Sequence, residues 1–213
     1  MVSVEDVVLS PPELHDDAGS VVSWKLEPEA LRFIDRTVLP GSHTLEVGIG
    51  ASTVVLAVKG CDHTAITPFQ VEVDRIADYA GARGLSLDTV RFAVGRSQDV
   101  LPGLDVGDLD FALVDGDHAF PVPIVDWMYT AERLAVGGVL LFDDVQIWTG
   151  RLLRDFLAAE PGWGLEWEES RAFAFRKLAD PVVGSWQEQP YVARRSFLWG
   201  GGGWLPAVPD DPA

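Results

Sequence analysis

The chain has 213 residues, 47% of them hydrophobic and 23% charged, which is typical of one folded domain and excludes a disordered chain. Sixteen lysines and arginines against 33 aspartates and glutamates give a formal net charge of −17, so we expect neither nucleic acid nor an anionic membrane as a partner. The single cysteine, the acidic N-terminal stretch and the lack of a long apolar segment predict a cytoplasmic protein.

Short apolar segments alternate along the chain with amphipathic ones. The apolar segments predict strands at 44–48, 63–67, 90–94, 110–115 and 138–143, and the amphipathic ones predict helices at 28–38, 51–59, 70–83, 97–101, 121–135 and 150–159. Strands that alternate with helices indicate βαβ units and a parallel sheet. Two further alternating segments within 164–178 predict an antiparallel hairpin that closes one edge of that sheet.

The chain divides into three predicted parts. Residues 28–180 form an α/β domain with a mostly parallel sheet of seven strands and helices on both faces. Residues 1–27 are an N-terminal segment and a candidate lid, and residues 181–213 are an irregular tail rich in aromatic residues, glycine and proline. The aromatic residues of this tail favour docking, so we expect a homodimer, whereas the very end of the tail favours disorder.

The first predicted strand ends in a glycine turn with the sequence EVGIG at 46–50. Gly48 and Gly50 permit a tight turn and the close approach of a ligand to the backbone, although many strand-to-helix turns contain two glycines. A dinucleotide fingerprint would have a third glycine at position 53, where this chain has Thr53, so NAD and FAD are disfavoured. A carboxylate at Glu46, where an apolar strand ends, needs hydrogen-bond donors or a cationic ligand.

This turn resembles the first motif of the class I S-adenosylmethionine-dependent methyltransferases, and the likeness extends over about residues 28–178. The resemblance implies a Rossmann-like fold and S-adenosylmethionine as the cofactor. The cofactor contacts that it implies are Glu46, Gly48, Gly50, Ser52, Thr53, Thr67, Gln70, Ser97 and Asp115. The family's usual acidic residue after the second strand is missing, which leaves Thr67 or Gln70 to meet the ribose, with Glu72 as a more distant candidate.

Aspartates follow the fourth and fifth predicted strands, in the segment DGDH at 115–118 and in the pair Asp143 and Asp144. Neighbouring parallel strands end at one edge of a sheet, where clustered carboxylates repel one another unless a cation such as Mg²⁺ neutralises them. The spacing resembles that of the metal-dependent catechol and caffeoyl-coenzyme-A O-methyltransferases, and also of the macrolide-sugar and cephalosporin types. That resemblance implies Asp115, Asp143 and Asp144 as metal ligands, and His118 stands where the family has its catalytic lysine.

The sequence therefore predicts methyl transfer to a hydroxyl of a small molecule, assisted by a divalent metal, with His118 as the general base. A methyltransferase of the same fold that acts on oxygen or nitrogen without a metal is the first alternative, because aspartates that end strands are often turn-formers or cofactor contacts. A non-catalytic module that keeps the cofactor cleft is the second, and a nicotinamide oxidoreductase is a distant third. Sensitivity to chelators separates the two methyltransferase hypotheses.

Overall fold

The structure is a computed structural model that describes residues 2–17, 19–23, 26–180, 184–200 and 203–206. Its strands, in chain order, are β1 (His15–Asp17), β2 (Ser20–Val22), β3 (His43–Val47), β4 (Asp62–Thr67), β5 (Val90–Val94), β6 (Leu109–Val114), β7 (Leu134–Phe142), β8 (Trp163–Glu169), β9 (Ala172–Lys177), β10 (Phe197–Gly200) and β11 (Gly203–Pro206). Its helices are α1 (Val4–Leu9), α2 (Pro28–Thr37), α3 (Ala51–Val58), α4 (Gln70–Ala82), α5 (Ser97–Val100), α6 (Val122–Arg133), α7 (Trp148–Ala159) and α8 (Pro190–Arg195).

Seven strands form the central sheet, in the order β5-β4-β3-β6-β7-β9-β8. Strands β3 to β7 are parallel, and β9 pairs antiparallel with both β7 and β8. The predicted α/β fold and its closing hairpin are therefore confirmed. The strand order reverses between β3 and β6, so the turns that follow these two strands face one crevice at the carboxyl edge of the sheet, where open α/β sheets bind their ligands.

Apolar side chains cover the sheet on both faces, as near-continuous apolar strands require. On β6, Phe111 and Leu113 point into a core with helices α1 to α4, while Ala112 and Val114 point into a second core with α6 and α7. This alternation follows the two-residue period of a strand. The sheet is thus fixed from both sides, and its carboxyl edge is a rigid platform for the loops.

The start of β7 is the one boundary in the sheet that differs clearly from the prediction. The helix was expected to continue to residue 135 and the strand to begin at 138, but α6 ends at Arg133 and β7 begins at Leu134. Leu134 already pairs with Leu109 of β6, and the ladder is then irregular until Val139 pairs with Phe111. Tertiary pairing with β6 therefore overrides the helical pattern of this segment.

The two flanking segments contain elements that the sequence did not predict. Helix α1 begins with a capping box, in which the backbone N–H of Ser3 donates to Asp6 at 2.8 Å and that of Asp6 donates to the Ser3 hydroxyl at 3.2 Å. In the tail, expected to be irregular, α8 docks on α7 through Tyr191 and Phe156, whose ring centroids lie 5.9 Å apart. The tail expectations for 181–183, 201–202 and 207–213 lie outside the described residues. Within the described ranges, no helix has the length and apolar character needed to cross a membrane.

Candidate active site

The glycine turn after β3 packs tightly against the end of β6. Gly48 has a φ of 88°, and a Cβ at this position would lie 2.1 Å from the carbonyl oxygen of Asp115, so only glycine fits. A Cβ on Gly50, in contrast, would meet no atom within 4 Å. Open space therefore lies beside Gly50, where the resemblance implies that the cofactor binds.

Glu46 lies directly behind this turn and is fully buried, with an exposed fraction of 0%. The Ser52 hydroxyl donates to its Oε2 at 2.7 Å, and the Thr53 hydroxyl donates to its Oε1. The Thr53 oxygen in turn accepts the N–H of Gly50 at 3.0 Å. The structure thus brings together these predicted cofactor residues, but their polar atoms bond to one another.

At the end of β4, Thr67 is buried and its hydroxyl donates to Oε2 of Glu72 at 2.6 Å. The other oxygen of Glu72 lies 3.0 Å from Nδ1 of His15. Gln70 is exposed and donates to Asp74 at 2.9 Å, away from Thr67. Of the two residues proposed to meet the ribose, Thr67 therefore lies next to a carboxylate and Gln70 does not. That carboxylate belongs to Glu72, the more distant candidate.

Ser97 is buried at the start of α5, near a carboxylate that the sequence analysis did not single out. Asp126 of α6 is fully buried, and neither of its oxygens makes a regular hydrogen bond within the described ranges. Burial raises the pKa of Asp126 to about 6, an effect that the nearby Ser97 side chain partly offsets. Asp126 lies on the buried face of α6 with Pro123, Trp127 and Thr130. The helical spacing of these residues in the sequence could therefore have indicated a buried carboxylate here.

The carboxylates after β6 and β7 converge as the sequence predicted, but with different nearest partners. Asp115, His118 and Asp144 each offer an atom within 4.8 Å of the others, and His118 Nε2 lies 2.9 Å from Asp144 Oδ2. Asp143, the third predicted metal ligand, instead pairs with Arg171 at 3.1 Å. Arg171 lies between β8 and β9 and also lies 3.5 Å from Asp144. No sequence pattern indicated Arg171, because the hairpin brings it to the site across the sheet edge.

These contacts set the protonation of the cluster. Burial, and then the charges of Asp143 and Asp144, raises the pKa of Asp115 well above its usual value. Burial likewise raises the pKa of Asp143 to about 6, against the effect of Arg171. The hydrogen bond between His118 and Asp144 raises the pKa of the imidazole and lowers that of the carboxyl. An ionised aspartate therefore holds the histidine ring, an arrangement that orients a general base.

Two exposed aromatic rings flank His118. Phe120 and Trp148 are 64% and 63% exposed, and their ring centroids lie 5.9 Å apart. The Thr149 hydroxyl donates to the His118 carbonyl at 2.8 Å and so joins the loop that carries Phe120 to the start of α7, where Trp148 lies. Exposed aromatic rings in contact at the rim of a crevice are suited to bind an apolar part of a ligand.

Comparison with known proteins agrees with this geometry. Residues 45–145 match the family model described as a methyltransferase domain. The matched segment is just under half of the chain and includes the glycine turn and the aspartates that follow β6 and β7. No curated protein sequence matches the chain.

Solved structures with the same fold have low sequence identity. The O-methyltransferase NovP aligns with a TM-score of 0.62 and 14% identity over 72% of this chain and 81% of its own. An O-methyltransferase from Bacillus cereus in complex with SAH aligns with a TM-score of 0.59 and 18% identity, over 73% of this chain and 83% of its own. TrmN from Thermus thermophilus aligns with a TM-score of 0.54 and 18% identity over 71% of this chain. The chain spans about half of the length of TrmN, 48%.

The similar structures also include a putative rRNA methylase from Clostridium thermocellum, with a TM-score of 0.57 and 12% identity over 72% of this chain and 96% of its own. The likeness to these structures therefore shows the fold and does not select the acceptor.

Proposed function

We propose that the protein transfers the methyl group of S-adenosylmethionine to a hydroxyl of a small molecule. The observation that carries this proposal is the His118–Asp144 pair, 2.9 Å apart, at the carboxyl edge of the sheet. The proposal is supported by the close packing of Gly48 against Asp115, since the glycine turn and this pair then lie at the same edge of the sheet. A base beside the cofactor turn is what deprotonation of an acceptor hydroxyl requires.

In the proposed reaction, Asp144 holds Nε2 of His118 and directs Nδ1 toward the acceptor. The hydroxyl proton moves to Nδ1 while the oxygen attacks the sulfonium methyl group, so a C–O bond forms as the C–S bond breaks. S-adenosylhomocysteine leaves as a neutral thioether, and the imidazolium later releases its proton to water. The ionised Asp144 stabilises that imidazolium, and the main contribution of the site is alignment of the two reactants.

The acceptor side supports a small molecule with an apolar or aromatic portion. Phe120 and Trp148, whose ring centroids lie 5.9 Å apart, are exposed near the His118 loop and would provide an apolar wall for the acceptor. The net charge of −17 favours a neutral or cationic acceptor over RNA, whose phosphates would be repelled. We therefore favour a small hydroxylated acceptor over an RNA acceptor.

A divalent cation such as Mg²⁺ is part of the proposal, since the residues present fit it. Asp143 Oδ1 is buried without a hydrogen-bond partner among the described residues, and Asp115 shares its surroundings with two other carboxylates. Asp115, Asp143 and Asp144 would hold the ion, which would supply Lewis-acid polarisation of the acceptor hydroxyl. Arg171 already offsets part of the negative charge at Asp143 and Asp144.

The ligand set is tested by titrating metal-stripped protein with Mg²⁺. Loss of Mg²⁺ binding in Asp143→Asn, with S-adenosylhomocysteine binding retained, supports the predicted set. Unchanged Mg²⁺ affinity in that variant, together with loss in His118→Gln, would replace it by Asp115, His118 and Asp144, which also converge.

The function is tested with methyl-labelled S-adenosylmethionine and a panel of probes that includes catechol, a simple phenol, a sugar and an aliphatic amine, each with Mg²⁺ and with a chelator. Label on an oxygen supports the proposal, and loss of transfer with the chelator supports the metal. Transfer only to nitrogen, or transfer unaffected by the chelator, supports the metal-independent alternative. Cofactor binding without transfer to any probe or to bulk RNA supports the non-catalytic module.

A further inference from the structure

His63, at the start of β4, is a buried titratable residue that the proposed reaction does not use. It is fully buried, and its Nδ1 lies 2.9 Å from the hydroxyl oxygen of Thr44. Thr44 pairs with His63 in the sheet, and Glu46 follows two residues later on the same face of β3. The register therefore places the imidazole beside the carboxylate of Glu46, and its Nε2 lies 3.1 Å from Oε1 of that residue.

This arrangement is costly for a protein interior. Nε2 of His63 is not aligned with Glu46 for a regular hydrogen bond, and no other partner for it occurs within the described ranges. Buried polar groups with incomplete hydrogen bonds destabilise a fold, and an apolar side chain of the same size would pack here without that cost. A contribution to stability therefore does not explain the contact between His63 and Glu46, and a role in placing the carboxylate explains it better.

The carboxylate of Glu46 connects His63 to the glycine turn through a short series of contacts. Thr53 donates to Glu46, and the oxygen of Thr53 accepts the N–H of Gly50 at 3.0 Å. Ser52 donates to the other carboxylate oxygen at 2.7 Å, so both hydroxyls of the first turn of α3 are fixed from behind. If the carboxylate moved or rotated, the N–H of Gly50 and the start of α3 would lose their support.

We infer that His63 is a positioning residue for the cofactor, which acts through Glu46. It holds the carboxylate at the angle at which Ser52 and Thr53 fix the turn between Gly48 and Gly50. Because Glu46 is fully buried, it supports the bound cofactor from behind the turn and does not contact it directly. The inference rests on the proposed function, since it requires S-adenosylmethionine to bind at this turn.

The test is calorimetric titration of S-adenosylhomocysteine into the native protein and into three variants. In His63→Gln the amide nitrogen can occupy the place of Nε2 next to Glu46, whereas in His63→Asn it can occupy only the place of Nδ1 next to Thr44. The control variant, Val55→Ala, removes buried volume from the same helix without touching the polar contacts. Thermal midpoints without ligand report stability for all four proteins.

We expect His63→Asn to weaken binding by about tenfold, because the close polar contact with the buried carboxylate is lost, and His63→Gln to restore most of it. Val55→Ala should lower the midpoint and leave the affinity unchanged. If His63→Asn fails to fold, Thr44→Val replaces it and should weaken binding by about threefold, as expected for one neutral hydrogen bond.

Two results would overturn the inference while leaving the proposed function intact. One is native affinity in a folded His63→Asn protein. The other is a loss of affinity that follows the fall in thermal midpoint across all three variants, His63→Gln, His63→Asn and Val55→Ala. That pattern indicates a structural role alone. Absence of binding to the native protein would overturn the proposed function, and the inference with it.

Discussion

Asp144 has a backbone φ of 64°, in the left-handed region that few residues other than glycine adopt. Its carboxylate accepts from Gln146 at 2.5 Å, pairs with His118 at 2.9 Å and lies 3.5 Å from Arg171. These partners maintain a conformation that costs on the order of 1–3 kcal/mol elsewhere in proteins. Strain at the residue that orients the proposed base is typical of a functional site.

Replacing His118 by alanine should lower the rate constant of methyl transfer by about 10²–10⁴-fold, because it removes the proposed general base. The affinity for S-adenosylhomocysteine should stay within about twofold, since His118 does not belong to the glycine turn. Single-turnover transfer and calorimetry measure the two quantities. Asp117→Asn is the matched control, because Asp117 is exposed and, among the described residues, its side chain accepts a hydrogen bond only from the N–H of Ala119. Equal activity in both variants would remove His118 from the mechanism.

The free energy of unfolding depends on pH through Asp126. Its pKa is about 6 in the folded protein and 3.8 as the unperturbed value, so the folded state favours the protonated carboxyl. This contribution is fully present below the unperturbed pKa and is lost as the pH rises through about 6. Relative to Asp126→Asn, the native protein should therefore lose about 3 kcal/mol of unfolding free energy between pH 3.5 and 7.5. Denaturant unfolding at several pH values measures the difference, and parallel curves for the two proteins would contradict the assignment.

At the scale of elements, the N-terminal segment packs along α4 through side chains of that helix. Arg75 donates to the Leu14 carbonyl and to Asp16, the latter at 2.9 Å. Tyr79 donates to the Ser10 carbonyl at 2.6 Å, and Glu72 pairs with His15. The hairpin of β1 and β2 is thus held beside the residues that follow β4, and its role as a lid stays a prediction.

Replacing Arg75 by alanine should release the hairpin and speed cleavage within residues 1–27 by about tenfold under limited proteolysis, because two of its anchoring hydrogen bonds are lost. Gln70→Ala is the matched control, since Gln70 is on the same helix and, in the part of the chain that the structure describes, its side chain bonds only to Asp74. Mass spectrometry of the fragments locates the cut. Equal cleavage rates in the two variants would show that Arg75 does not anchor the hairpin.

The elements of the central sheet were predictable because each carries its own periodicity. The strands near 44–48 and 110–115 follow from short apolar segments between turn residues, and the hairpin within 164–178 follows from alternation. Helix α1 and the hairpin of β1 and β2 were missed, because elements of six and three residues are too short to show a period. They are stabilised by contacts with α4 that the sequence does not reveal.

The candidate site was predictable where it depends on topology alone. Parallel neighbours end at one edge, so the convergence of Asp115 with Asp143 and Asp144 follows from the strand order. The partners of these residues were not predictable. Arg171 reaches Asp143 only because the last hairpin folds back on β7, and His63 faces Glu46 only because of the register between β3 and β4. Register and hairpin placement are tertiary properties.

At the scale of the whole molecule, the net charge of −17 suits a cationic cofactor. S-adenosylmethionine carries a positive sulfonium that S-adenosylhomocysteine lacks, so only the former gains from the acidic crevice. Raising the ionic strength from 0.05 to 0.5 M should weaken S-adenosylmethionine binding by about threefold more than S-adenosylhomocysteine binding, because salt screens partly exposed charges. Competition titrations at several salt concentrations measure the ratio, and an identical salt response of the two ligands would contradict the electrostatic argument.

The measurement that tests the central claim most directly is calorimetric titration of the purified native protein with S-adenosylhomocysteine. The open space beside Gly50 and the fixed turn behind it predict one site per chain with a micromolar dissociation constant. Binding of that strength would establish the cofactor on which the proposed reaction and the role of His63 both rest. A folded protein that releases no heat up to millimolar ligand would contradict the account.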